Sequence, residues 1–254
     1  MTPVTVLIRT DLVRMPLYAR VMSETFVLVP GMWLGGWAWS SVAERLRADG
    51  HRAVPVTLTG VGDRVAEDGP SVDLETHVAD IVVAVEAQPG PVVLVGHSYG
   101  GLPVTAAAAR LGGRVRRVVY VDSGPLPDGT RQLDMGAPVP ADVPVPPRPW
   151  DRAADPVMLA GLDDDAIALL EKRSTTHPYG SVAQPLRRGG EVTAPVALIA
   201  CLFSPEQIAE LRAQGHPFFA GLGDATIHSL PTGHWPMLSE PARLAALLAA
   251  DARA

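Results

Sequence analysis

Val92-Val93-Leu94-Val95-Gly96-His97-Ser98-Tyr99-Gly100-Gly101 is a short, β-branched apolar run that ends in Gly-x-Ser-x-Gly. Small and apolar residues follow it: Leu102, Val104 and Ala106 to Ala109. The pattern reads as a buried strand, a very tight turn and a helix. Such a turn forces Ser98 into a strained backbone at the top of a sheet. Gly96 and Gly100 are small because the incoming strand and the outgoing helix nearly touch there. The Ser98 hydroxyl is then exposed beside a helix N-terminus, where developing negative charge is favoured. A bare Gly-x-Ser-x-Gly is a weak signal; with this strand before it and this helix after it, it is a strong one.

On either side of that stretch, strand and helix patterns alternate. Thr25 to Val29 reads as a buried strand, followed by the glycine-rich loop Pro30 to Gly36 and a helix from Trp37 to Asp49. His51 to Val56 is the next strand. After a loop, Asp73 caps a helix running to about Gln88. Arg114 to Val121 is a further strand that ends at Asp122. Composition shifts at Gly124: Pro125 to Ala194 is dense in Pro and Gly, with helical character from Pro156 to Arg173. The sheet pattern resumes at Pro195 to Leu202, then a helix from Pro205 to Gln214, a last strand from Ala225 to Leu230, and a final helix carrying Leu238, Leu244, Leu247 and Leu248. The expectation is an α/β fold: a mostly parallel sheet with helices on both faces, built from residues 25–124 and 195–254, with residues 125–194 inserted as a lid.

The chain has 254 residues, 47% hydrophobic, which suits one such domain with a large core. A net charge of −6 gives no reason to expect nucleic acid or an anionic membrane as partner. No apolar run approaches bilayer length, so no membrane-spanning segment is expected. Cys201 is the single cysteine, which excludes an intrachain disulfide and leaves the cytoplasm as the default compartment. Lys172 is the single lysine, which removes most lysine chemistry. Residues 1–24 read as an N-terminal extension whose Arg9, Asp11, Arg14 and Arg20 interrupt any signal-peptide core. Translation from Met22 is one hypothesis for it; a peptide spanning Leu17 to Thr25 in protein from its own cell would rule that out.

A serine hydroxyl needs a base, a group to orient the base, and donors for the oxyanion. Seven histidines are available. His234, in the Gly-flanked loop after the last strand, is at the right sheet edge. His97 reads as a packed core histidine pointing the other way around the turn. His51, His77 and His228 fall inside elements, and His177, in the lid, is a candidate substrate contact. The backbone N–H groups of Tyr99 and Met32 are the candidate oxyanion donors. Trp33, Trp235 and Trp150 are candidate walls of an apolar pocket.

The chain resembles the α/β-hydrolase superfamily, and more narrowly the plant-type methyl esterase and hydroxynitrile lyase branch with its bacterial relatives. The residues that carry the likeness are Phe26 to Gly31, Gly35 to Trp39, Gly96 to Gly101, and Gly233-His234. Relatives usually have His where Pro30 stands, which implies a changed loop rather than lost activity. They usually place the triad acid after the strand before the last, where this chain has Ser204. Asp122 and Glu206 are the two substitutes, and a dyad without acid is the third possibility.

The resemblance implies a cofactor-independent serine hydrolase, with no metal, acting on a carboxylic ester, thioester or lactone of a small, largely apolar molecule. The catalytic set expected is Ser98, His234 and Asp122. A cofactor-free cyclase or other natural-product tailoring enzyme is the alternative. A lyase of this branch would carry lysine where Trp235 stands, and epoxide hydrolases and dehalogenases carry Asp at the Ser98 position. A non-catalytic binding protein is argued against by the retained Ser98 and His234.

Overall fold

The computed structural model describes residues 23–136 and 139–253. Among these, six strands form one parallel sheet: β1 (Thr25–Val29), β2 (Arg52–Pro55), β3 (Val92–His97), β4 (Val115–Val121), β5 (Val196–Ala200) and β6 (Thr226–Ser229). Their order is β2-β1-β3-β4-β5-β6. The helices are α1 (Ser40–Ala48), α2 (Leu74–Glu86), α3 (Gly101–Leu111), α4 (Asp164–Arg173), α5 (Tyr179–Ala183), α6 (Pro205–Ala213), α7 (Pro217–Ala220), α8 (Pro236–Ser239) and α9 (Pro241–Asp251).

Strands β1, β3 and β5 are largely apolar because both faces of the sheet are covered there. Phe26, Leu28, Val93, Val95, Val119 and Val121 point to one side, where Val42 and Leu46 of α1 and Leu244 and Leu248 of α9 close the core. Val27, Val29, Val92, Leu94, Val118 and Tyr120 point to the other, against Leu74, Val78 and Ile81 of α2 and Leu102 and Val104 of α3. Helix α2 begins where the sequence places its cap: Asp73 accepts from the Thr76 N–H at 2.9 Å, and Thr76 Oγ1 accepts from the Asp73 N–H. In the Pro156–Arg173 stretch the helix starts only at Asp164. Asp163 caps it there, after a reversal at Gly161 with φ of +78°.

The chain runs outward from β1 to β2 and then returns to the other side of β1 as β3. The loops after β1 and β3 therefore diverge at the carboxyl edge of the sheet, the place where open α/β sheets bind ligands. The core also starts earlier than the pattern suggests. The Glu24 N–H donates to His51 Nδ1 at 3.2 Å, and the Glu24 carboxylate pairs with Arg116 at 2.9 Å. Residues 1–22 of the expected N-terminal extension lie outside the described residues. No helix among the described residues is long and apolar enough to cross a membrane.

Candidate active site

Five loops meet at that carboxyl edge, following β1, β3, β4, β5 and β6. Ser98 follows β3 with φ of +51°, in the left-handed region that a non-glycine residue seldom occupies. The turn is tight enough that a Cβ on Gly96 would lie 2.9 Å from the Gly100 carbonyl oxygen, and one on Gly100 would lie 2.6 Å from that of Pro30. The Ser98 carbonyl accepts from Ser123 Oγ at 2.7 Å. That hydroxyl in turn occupies the space a Cβ on Gly101 would need.

Ser98 Oγ lies 2.8 Å from His234 Nε2, and His234 Nδ1 lies 2.5 Å from Asp122 Oδ2. Asp122 comes from the end of β4 because the β3–β4 register pairs His97 with Val121, so that Ser98 and Asp122 are the next residues out on neighbouring strands. Its second oxygen, Oδ1, accepts from the backbone N–H groups of Cys201 and Leu202, each at 3.2 Å. Burial pushes the carboxyl up, but the hydrogen bond and charge of His234 and the two amides outweigh it and hold Asp122 below the usual carboxylate range. The loop after β5, where relatives of the resembled branch carry their acid, here supplies the amides that hold Asp122 on the neighbouring strand. Glu206 is exposed and accepts from Ser204 Oγ at 2.7 Å. Ser204 caps α6.

A cavity of about 650 Å³ opens onto Ser98, Asp122 and His234. Met32, Trp33 and Trp235 line it, together with Leu126, Leu133, Val139, Phe218 and the stretch Pro146 to Pro149. Arg148 is a charged side chain at this largely apolar wall; its guanidinium stacks 5.4 Å from the Trp235 ring and pairs with Asp155. Two expectations need correction. Trp150 does not line the cavity: Pro147 to Pro149 take that face, and Trp150 turns inward, edge-on to Trp33 and Trp235 at 6.2 and 5.0 Å. His177 does not line it either. Its ring is fully buried against Tyr99, and its Nδ1 accepts from the Trp33 N–H at 3.3 Å. Tyr99 is also fully buried, so only its backbone remains a candidate for the reacting centre.

Two contributors escaped the sequence reading. His97 is packed into the core, but its Nε2 reaches the His234 carbonyl at 2.7 Å. Burial and the neighbouring His234 push the His97 imidazole down to about 3, so it is neutral and its Nε2–H donates to that carbonyl. Ser123 is the other. Its one signal in the sequence is its place directly after Asp122, facing the turn that follows β3. The His234 loop is tied down a second time: the His234 N–H donates to the Met158 carbonyl at 2.7 Å, and the Gly233 N–H donates to that of Ala160 at 3.0 Å.

Known proteins resemble the chain in both sequence and shape. An esterase of a Nocardioides strain named for hydrolysing carbendazim is 46% identical over 99 residues, which is 39% of this chain and 41% of that one. A rice esterase is 39% identical over 99 residues, 38% of this chain and 37% of its own. The chain thus spans about two fifths of the length of these curated relatives. A crystal structure of an Arabidopsis methylesterase superposes with a TM-score of 0.71 at 20% identity, covering 91% of this chain and 99% of that one. The model of the alpha/beta hydrolase family matches residues 26–247. That span takes in all six strands but for Thr25, together with the Ser98, Asp122 and His234 loops, and the chain belongs to the alpha/beta hydrolase family.

Proposed function

We propose that the protein is a serine esterase that cleaves a carboxylic ester, thioester or lactone of a small, largely apolar molecule through an acyl-enzyme. The observation that carries the reading is the unbroken line from Ser98 Oγ through His234 to Asp122, with spacings of 2.8 and 2.5 Å, opening into an apolar cavity of about 650 Å³. Relatives named as esterases and methylesterases support it.

Asp122 is ionised and accepts a hydrogen bond from His234 Nδ1–H, so Nε2 presents its lone pair to the serine hydroxyl. As Oγ bonds to the substrate carbonyl carbon, its proton passes to Nε2. The carbonyl oxygen becomes an oxyanion, held by the backbone N–H groups of Met32 and Tyr99. The imidazolium then gives its proton to the leaving alkoxide, thiolate or ring oxygen as that bond breaks. Water repeats the two transfers and frees the acid. The cavity walls Trp33 and Trp235 hold the apolar part of the substrate, and the connection from β4 to β5 acts as the lid that sets its shape.

The test is covalent labelling by a fluorophosphonate, read by mass spectrometry, beside hydrolysis of p-nitrophenyl esters of graded chain length. A modified Ser98 and turnover that vanishes in Ser98→Ala are expected. Folded protein that stays unlabelled, or Ser98→Ala with normal turnover, overturns the reading.

A further inference from the structure

His177 is buried at no visible profit to stability. Its Nε2 finds no hydrogen-bond partner among the described residues, and an unpaired buried polar group is worse than an apolar side chain of the same shape. Among the described residues, the one hydrogen bond its ring makes is to the loop after β1: Nδ1 accepts from the Trp33 N–H at 3.3 Å. Trp33 has φ of +69°, a left-handed conformation that a bulky residue holds only when its surroundings impose it. Both of its backbone polar groups are held from the β4–β5 connection, because the Thr175 N–H donates to the Trp33 carbonyl at 3.0 Å.

The same ring reaches the other side of the site. It packs edge-on to Tyr99 with centroids 4.5 Å apart. The Tyr99 hydroxyl is fixed in turn, 2.6 Å from His77 Nδ1, while His77 Nε2 lies 2.8 Å from the Thr59 carbonyl. A carbonyl only accepts, so His77 carries its proton on Nε2 and Nδ1 accepts from the tyrosine. Resting on the esterase reading above, we propose that His177 is a positioning residue that sets the spacing between the two oxyanion donors. It bonds the residue after Met32 and packs against the residue whose own N–H is the second donor.

The proposal separates His177 from both a packing role and a substrate contact. In His177→Leu the ring volume is approximated but the acceptor is lost. Turnover should fall about 10- to 100-fold, and the rate of fluorophosphonate labelling with it, while KM stays within about threefold. His177→Asn places an amide oxygen near the position of Nδ1 and should recover most of the loss; His177→Gln places its amide nearer Nε2 and should not. If His177→Leu does not fold, the contrast between Asn and Gln decides. Wild-type kcat in His177→Leu, a loss confined to KM, or Gln equal to Asn would each overturn the proposal. Wild-type protein that resists labelling brings down the esterase reading and this inference together. Normal labelling of both wild type and His177→Leu brings down this inference alone.

Discussion

Four non-glycine residues have positive φ among the described residues, and three of them, Trp33, Ser98 and Asp122, line the cavity. Each such conformation costs about 1–3 kcal/mol, so the fold concentrates its strain where the chemistry is proposed. Ser98→Gly and Ser98→Ala both remove the hydroxyl, but only glycine accepts φ of +51° freely. Ser98→Gly should therefore exceed Ser98→Ala in stability by about 1 kcal/mol in chemical denaturation. Equal midpoints would show that the turn is not strained. The proposed acid makes a sharper claim. Asp122→Asn should lower kcat by about 10³- to 10⁴-fold, as an acid-to-amide change does in other serine triads. Glu206→Gln, on an exposed side chain bonded to Ser204, should stay near wild type. The opposite ranking would move the acid. Sequence made Ser98 and His234 legible because each stands in a motif with its own backbone signature. Asp122 was one of two candidates, since which strand delivers the acid depends on register. The β3–β4 pairing that sets Ser98 beside Asp122 is a tertiary fact.

The strand–turn–helix unit of β3 and α3 is the element whose packing leaves least room. Gly100→Ala would push a Cβ to 2.6 Å from the Pro30 carbonyl oxygen, which is backbone and cannot rotate away. That change should cost about 1–3 kcal/mol and displace the loop after β1. Gly113→Ala meets nothing within 4 Å and should stay within about 0.5 kcal/mol of wild type. Comparable melting of the two would show that the turn is looser than its geometry. At this scale the sequence was readable for every strand, because β-branched runs bounded by Gly and Pro have few other readings. It was less so between β4 and β5. There, proline density marks an insertion, but the pattern does not tell that Trp150, next to the cavity-lining prolines, packs its ring inward. Which way one side chain turns out of an irregular segment follows no period.

Among the described residues, the imidazoles of His77, His97 and His177 are fully buried and held neutral. Burial pushes His77 from 6.5 to about 4, and His97 to about 3. A histidine with a lower pKa folded than unfolded binds its proton more readily in the unfolded chain. Its stabilising effect is therefore complete above about pH 6.5 and is lost as the pH falls toward the folded value. Each contributes a slope of up to about 1.4 kcal/mol per pH unit in that window. The melting temperature should drop steeply between pH 6.5 and 4, and less steeply in a variant with His77 replaced by Phe. A flat profile in that range would mean that the three rings are not held as neutral groups.

The segment between β4 and β5 grips two loops at once, Trp33 through Thr175 and His177, and Gly233-His234 through Ala160 and Met158. Exchanging that segment for one from a relative, the obvious route to a new substrate range, would thus transplant the clamps on nucleophile chemistry as well as the walls. Chimaeras of this protein should lose turnover even toward substrates that both parents accept, unless the anchoring residues travel with the graft.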